Sequence, residues 1–270
     1  MKRAAESRSA LIALTRRELV RFIRQPSRIV AAVGTGAIVW LLLASGMAGS
    51  FVSPAITEGT EGGPANTYAA YLIPGMATMI VLFASIFSAI SLIQDRHAGF
   101  LQSVLVSPAP AWAIVGSKVA GAVIIAVLQG AIVLAAAPLV GIHPGVVGYA
   151  VAALALILAA TFVSCIGMAL AWRMDSVAGF HGVMNLVLLP LWVFSGAMFP
   201  VEGMADWMKW VARCNPLAWS TRAMGSALGT TNPSILDWGG ALLAAAGAFA
   251  LAWFIMGKRH IRAGGEEGAG

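Results

Sequence analysis

Charged residues divide this chain into segments whose lengths are its main structural signal. Five long stretches carry no charge: 29 to 57, 62 to 94, 119 to 172, 176 to 201 and 238 to 257. A helix rises 1.5 Å per residue, so about 20 apolar residues cross a hydrocarbon core about 30 Å thick. The longest stretch, at 54 residues, has room for two crossings, and the pattern predicts six transmembrane helices. The expected spans run about 29 to 50, 69 to 93, 113 to 137, 147 to 172, 176 to 198 and 237 to 257. Helix breakers Pro138, Gly141, Pro144 and Gly145 mark the turn inside the longest stretch. Residues 97 to 117 are also uncharged, but His97, Gln102, Ser103, Ser107, Pro108 and Pro110 are poor material for a helix facing lipid. No short alternating segments of barrel type are present, so the expected class is all-α, with residues 1–270 forming a single transmembrane domain.

Composition excludes a water-soluble fold: 59% of residues are hydrophobic, 10% are charged, and the mean hydropathy is +0.85. Thirty glycines and abundant alanine predict helices that pack through small residues, because lipid supplies no hydrophobic force between them. Basic residues set the orientation. With a cytoplasmic N-terminus and six spans, Lys2, Arg3, Arg8, Arg16, Arg17, Arg21, Arg24, Arg28, Arg96, Lys118, Arg173, Lys258, Arg259 and Arg262 fall inside. Only Lys209, Arg213 and Arg222 fall outside, so the ratio is fourteen to three and both termini are expected to be cytoplasmic. A cleaved signal, or a twin-arginine signal at Arg16-Arg17, fits the N-terminus locally, but neither fits a chain with five further spans.

Two segments on the inner side show amphipathic patterning. Over residues 7 to 25, Leu11, Ile12, Leu14, Leu19, Phe22 and Ile23 gather on one side of a helix, and Arg17, Arg21 and Arg24 lie opposite. This helix ends before Pro26 and is either an interfacial anchor whose arginines meet lipid headgroups or a lever moved by a cytoplasmic partner. Between Asp95 and Trp112, Phe100, Leu101, Val104 and Leu105 form one face of a short helix ending at Ser107-Pro108. That face suits either a groove on another protein or the bilayer surface.

On the outer side, Val201, Met204, Trp207, Met208 and Val211 have helical spacing, and Pro216 starts a second element. Trp207, Trp210 and Trp219 are expected at headgroup level, where indoles are favoured. Cys165 in the fourth span and Cys214 in the last outer loop fit no metal or redox motif and are read as structural.

Asp95-Arg96, Gly99, Leu101 and Val104-Leu105-Val106-Ser107-Pro108, followed by Gly116 and Lys118, resemble the E-R-x-x-G-T-L-E-x-L-L-x-S-P … G-K stretch of type-2 ABC exporter permeases. Ser195-Gly196-Ala197-Met198-Phe199-Pro200, Trp207, Asn215-Pro216-Leu217-Ala218-Trp219 and Arg222 resemble that family's S-G-x-x-F-P … W … N-P-L-T-Y … R pattern. Phe100, Gln102 and Ala218-Trp219 depart from it. The resemblance implies that 95–107 is a coupling helix docking on an ATPase subunit through Arg96, Gly99, Phe100, Leu101, Val104 and Leu105. It also implies that 199–225 forms short outer helices dipping back into the membrane. Spans one, two and five would line the route, with Trp40, Met76, Met79, Phe83, Asn185, Leu189 and Phe194 near the cargo.

No G-x-x-x-x-G-K-[ST] phosphate loop is present in these residues, so no cofactor is expected on this chain, and ATP and Mg belong to the partner ATPase. A six-span half-pathway is expected to pair with a second copy, or with a related permease, in the bacterial cytoplasmic membrane, with lipids as neighbours and no nucleic acid. No charge falls at mid-membrane, which favours a hydrophobic or amphipathic cargo such as a drug, antibiotic or lipid over an ion, with a glycan as the alternative. Asn185 and Gln129 are expected to be buried amides in interhelical hydrogen bonds. A rhomboid-like serine hydrolase using Ser195 fails on geometry: His181 lies fourteen residues away on the same helix, about 21 Å along its axis, and His260 is on the opposite side of the membrane.

Overall fold

The computed structural model of the protein describes residues 2–47, 67–100 and 111–265. Among the described residues there are nine α-helices and no strand. They are α1 Lys2–Ile23, α2 Pro26–Gly46, α3 Tyr68–His97, α4 Ala111–Ala135, α5 Gly145–Ala171, α6 Val177–Trp192, α7 Asp206–Cys214, α8 Pro216–Leu228 and α9 Ile235–Gly265. Six of them, α2 through α6 and α9, are long and apolar enough to cross a membrane, α6 together with the turn that carries it on to Ala197. The protein is therefore an all-helical, multi-pass membrane protein. α1 begins earlier than the expected 7–25 helix, and α9 continues past the apolar run to Gly265.

Local sequence sets the helix limits. Pro26 cannot continue α1 but suits the first position of α2, where its missing N–H has no helical partner to lose. Thr67 caps α3 by accepting from Ala70 N at 3.3 Å, and Ser176 caps α6 by accepting from Gly179 N at 3.2 Å. The Asn215-Pro216 pair opens α8 in the same way, with Asn215 Oδ1 accepting from Leu217 N at 3.0 Å.

α3 is the hub of the fold. It packs against α2, α4 and α5, and 89% of its apolar window is buried, against 11% to 33% for the other five spans. A helix this enclosed can carry polar groups only if they are paired. Thr78 Oγ1 lies 3.2 Å from Thr221 Oγ1 on α8, and Ser85 Oγ lies 2.9 Å from Ser164 Oγ on α5.

Pro74 has no N–H to give to Ala70 O, which interrupts the α3 hydrogen-bond ladder, and two side chains bond the carbonyls at and after it: Thr78 Oγ1 donates to Pro74 O at 2.6 Å and Trp192 Nε1 donates to Gly75 O at 2.8 Å. Beside this kink, α6 ends in a π-helical turn, Val193–Ala197, in which Gly196 has φ +79°. The two backbones touch there, since a Cβ at Gly75 would sit 2.3 Å from Ala197 O. Tyr71 and Tyr68 donate to Gly196 O at 2.5 Å and Met198 O at 2.8 Å, fastening the turn to α3.

Candidate functional site

Two carboxylates and three cations meet where α1, the end of α3 and the start of α4 converge. Asp95 is in the last turn of α3 and Lys118 in the second turn of α4, on either side of the chain that runs from 101 to 110. Lys118 Nζ contacts Asp95 Oδ2 and reaches Glu18 Oε1 at 2.7 Å. Arg21 Nη1 lies 2.5 Å from Asp95 Oδ1, and Arg17 bridges Glu18 at 3.0 Å and Asp95 at 3.4 Å. Asp95, Lys118 and Glu18 retain 2%, 5% and 7% of their exposure. Charges this enclosed persist only with close partners, because each one alone would bear its full desolvation cost. Gln94 extends the cluster, accepting from Arg21 at 3.3 Å and from Arg28 at 3.1 Å.

This corrects the helical-wheel expectation for α1. Arg17 and Arg21 turn inward to Asp95, while Ile12 and Ile23 are 65% and 70% exposed; of the three arginines set opposite the apolar side, only Arg24 is exposed. Buried carboxylates at 18 and 95 outweigh the local apolar pattern. Sequence reasoning missed Glu18 and the pairing role of Lys118. The available signals were an acid set among Arg16, Arg17, Arg21 and Arg24, and a lysine standing alone between 97 and 172.

The docking residues expected at 95–107 divide into two groups. Leu101, Val104 and Leu105 lie outside the described residues. Of the others, Gly99 has φ +73°, a left-handed conformation that turns the chain away from α3. Phe100 places its ring centroid 3.5 Å from the Arg17 guanidinium carbon. Arg96 points to the C-terminal end of α5, donating to Trp172 O at 2.6 Å, Met174 O at 3.2 Å and Asp175 Oδ1 at 2.6 Å. A guanidinium suits unpaired terminal carbonyls of a helix.

The expected pathway residues do not converge within one chain. Met76 and Met79 are buried at 0% and 6% in the core, which removes them from any open surface of the protomer. The close packing of α3 on its neighbours is the reason. Trp40 donates to Ala69 O at 3.0 Å, and Phe83 is half-buried beside the same core. Asn185 and Leu189 are exposed on the open face of α6, and Phe194 stands edge-on to Trp207 with centroids 5.9 Å apart.

Asn185 is therefore not the buried amide expected of it. Gln129 is buried, but neither of its amide atoms has a hydrogen-bond partner among the described residues. Ser195 is enclosed and donates to Trp192 O at 2.7 Å, a structural use of the hydroxyl named in the hydrolase alternative.

At the opposite end, Trp207 and Trp210 on α7 are 62% and 66% exposed. Trp219 instead packs on Gly240 of α9, where a Cβ would sit 2.6 Å from its ring, and donates to Arg213 O at 3.0 Å. Arg222 pairs with Asp237 at 2.6 Å, joining α8 to α9. Among the described residues no group of three His, Cys, Asp or Glu side chains is placed to hold a metal ion.

A family model described as ABC-2 type transporter matches residues 9–228, from within α1 to the end of α8. No curated protein matches the chain.

Proposed function

Since the chain belongs to the ABC-2 type transporter family, and is thus an ABC-type permease, we propose that it exports a hydrophobic or amphipathic compound across the bacterial cytoplasmic membrane. It works as a homodimer joined to two ATPase subunits that carry ATP and Mg. The observation that carries this reading is the buried ionic cluster at Glu18, Asp95 and Lys118. It ties α1 and the two helices flanking residues 101–110 into one unit, so a push on that segment from a nucleotide-driven partner moves three helices together. The α1 end is cytoplasmic in this reading, consistent with fourteen of seventeen Lys and Arg residues on that side.

The dimer reading draws on the open faces of α2 and α6, of whose apolar windows only 11% and 22% are buried. On α6 that face carries the amide of Asn185, unpartnered among the described residues, a group that lipid solvates poorly and that a second copy or a wet pathway accommodates. The lack of charge at mid-membrane, where Asp95 and Lys118 stand near helix ends, supports an uncharged or amphipathic cargo rather than an ion.

Copurification with the ATPase tests the docking role. Leu101→Asp and Leu105→Asp are each expected to abolish recovery of the partner while leaving membrane insertion intact, and a complex that survives both changes refutes docking through 95–107. Orientation is tested with an impermeant thiol reagent on a cysteine-free background. A cysteine placed at Ser234 should react in intact cells and one at Ala263 should not; the reverse pattern refutes the topology.

A further inference from the structure

An apolar groove of about 570 Å³ opens between α6 and α7, at the end of the bundle away from α1. Pro190, Leu191 and Phe194 wall it on the α6 side, and Trp210, Val211 and Cys214 on the α7 side. The one amide side chain that borders it, Asn215, is engaged through both of its polar atoms, donating to Leu191 O at 2.5 Å and accepting from Leu217 N at 3.0 Å. The groove therefore has little to offer a peptide strand, whose N–H and C=O groups would be buried there unpaired. An alkyl chain makes no such demand.

The groove also lies off the face of α6 that is assigned above to a second copy. Pro190 and Leu191 stand five and six residues beyond Asn185. At about 100° per residue they are turned roughly 140° one way and roughly 120° the other way from it. A dimer joined through the Asn185 face thus leaves the groove to lipid. Trp207 and Trp210, 62% and 66% exposed, set its depth, because indoles are favoured at the level of the headgroups.

The rim of the groove carries a cation with nothing to balance it. Of the cations on α7 and α8, Lys209 pairs with Asp206 at 3.3 Å and Arg222 with Asp237 at 2.6 Å. Arg213 is exposed and has no carboxylate partner among the described residues. It precedes Cys214 in the chain, and its guanidinium carbon lies 5.9 Å from the ring centroid of Trp210, so it adjoins two of the groove's walls. An unbalanced guanidinium beside an alkyl-sized groove at headgroup level is the complement of a phospholipid, with a phosphate for the one and a chain for the other.

We propose that the groove holds an acyl chain of an anionic phospholipid such as phosphatidylglycerol, and that Arg213 pairs with its phosphate. The bound lipid bridges α6 and α7. A net anionic head is preferred over phosphatidylcholine, whose own ammonium competes with Arg213 for the phosphate. The leaflet is the one opposite α1, an assignment that rests on the topology given under the proposed function.

The chain supplies its own reporter, since Cys165 is buried in α5 and Cys214 is exposed in the groove. The full-length protein is placed in phosphatidylcholine nanodiscs, and alkylation of Cys214 by a maleimide is followed by peptide mass mapping. Three additions are compared: phosphatidylglycerol brings chain and anion together, diacylglycerol brings the chain alone, and inorganic phosphate in the buffer brings the anion alone. Phosphatidylglycerol is expected to slow the reaction about tenfold, and the other two less than about twofold. In Arg213→Gln the phosphatidylglycerol effect should fall below about twofold, each variant being compared with itself in plain nanodiscs so that a change in the thiol's own reactivity cancels. Arg213→Lys should keep most of the effect, because lysine still meets phosphate as a point charge.

No slowing by phosphatidylglycerol, equal slowing by diacylglycerol, or equal slowing by phosphate alone each overturns the proposal. So does undiminished slowing in Arg213→Gln, which would reduce the effect to the surface potential of an anionic bilayer. Alkylation that is slow in discs holding two copies and fast in discs holding one, whatever the lipid, would give the groove to a second copy instead. Nanodiscs present lipid on both sides, so none of these results depends on orientation or on transport. The exporter reading is judged separately, by ATP-dependent transport in vesicles containing the partner ATPase.

Discussion

The two ends of this bundle are joined by different chemistry. At the α1 end three helices meet around Glu18, Asp95, Lys118, Arg17 and Arg21, with the two carboxylates and the lysine almost fully enclosed. At the α7–α8 end, helices meet through hydroxyls, an indole and an amide bonded to backbone carbonyls, with one ion pair, Arg222–Asp237, whose arginine side chain is 26% exposed. A neutral hydrogen bond contributes about 1 kcal/mol net, and one can be lost without stranding a charge. A buried charge cluster does not come apart piecewise, because removing any member leaves another unpaired in a medium that solvates it poorly. The α1 end is thus built to move as one body, and the other end to yield by single bonds.

The largest test of this contrast is Asp95→Leu. It removes the carboxylate shared by Lys118, Arg17 and Arg21 and leaves buried Lys118 with Glu18 alone. A loss of roughly 3–5 kcal/mol is expected, read as thermal unfolding of the purified chain in detergent. Adding Lys118→Met should recover most of it by removing the stranded charge. Asp237→Leu serves as the comparison and should cost clearly less, since Arg222 can turn its exposed edge to water. Equal losses from the two aspartates would erase the distinction between the ends.

Next in size is a test of how tightly the neutral end is packed. Gly75→Ala puts a methyl 2.3 Å from the backbone oxygen of Ala197, and neither backbone can retreat without opening the α3 kink. Overpacking of this kind costs about 1–3 kcal/mol. At Gly36 the added methyl meets the Ile80 side chain, 2.7 Å from Cγ1, rather than backbone, so Gly36→Ala should cost less than Gly75→Ala in the same melt. The reverse order would mean that the turn at Gly196 is soft.

Asn215 allows the neutral bonds to be separated. Its Oδ1 caps α8 and its Nδ2 donates to Leu191 O, so Asn215→Ala should lose roughly 1–2 kcal/mol. Asn215→Asp keeps the cap and loses the donor, placing a carboxylate oxygen against a carbonyl. If Asp is as stable as Asn, the bond between α6 and α8 contributes nothing, and the neutral end is held by packing alone.

What the sequence made legible follows from the range of the interactions involved. Six spans came from charge spacing, the end of α1 from Pro26 and the start of α8 from Pro216, all signals carried within a few residues. The inward turn of Arg17 and Arg21 was not legible, because it depends on Asp95, more than seventy positions away, and on a wheel that scored the apolar residues of α1 without asking where Glu18 would find a cation. The burial of Met76 and Met79 within the protomer was not legible for a related reason. An apolar residue on a span reads the same whether it faces a route, lipid or another helix, and only the enclosure of α3 decides that these two lie in the core.

The smallest expected effect concerns the contact that joins the ionic end to the chain leaving it. Phe100 stands where the resembling family usually has threonine, and its ring lies against the Arg17 guanidinium, which also reaches Glu18 and Asp95. Arginine over an aromatic ring at a partly exposed site contributes about 0.5–1 kcal/mol. Phe100→Thr should therefore lower stability by about that amount while leaving the carboxylate contacts of Arg17 in place. Arg17→Ala should cost more, since it removes both kinds of contact. In a double-mutant cycle the two changes should couple by about the value of the stack alone. A coupling near zero would mean that Phe100 is held by other neighbours and that Arg17 serves only the carboxylates. A coupling well above the stacking value would mean that the ring also shields the ion pairs from water, which would make Phe100 part of the ionic end.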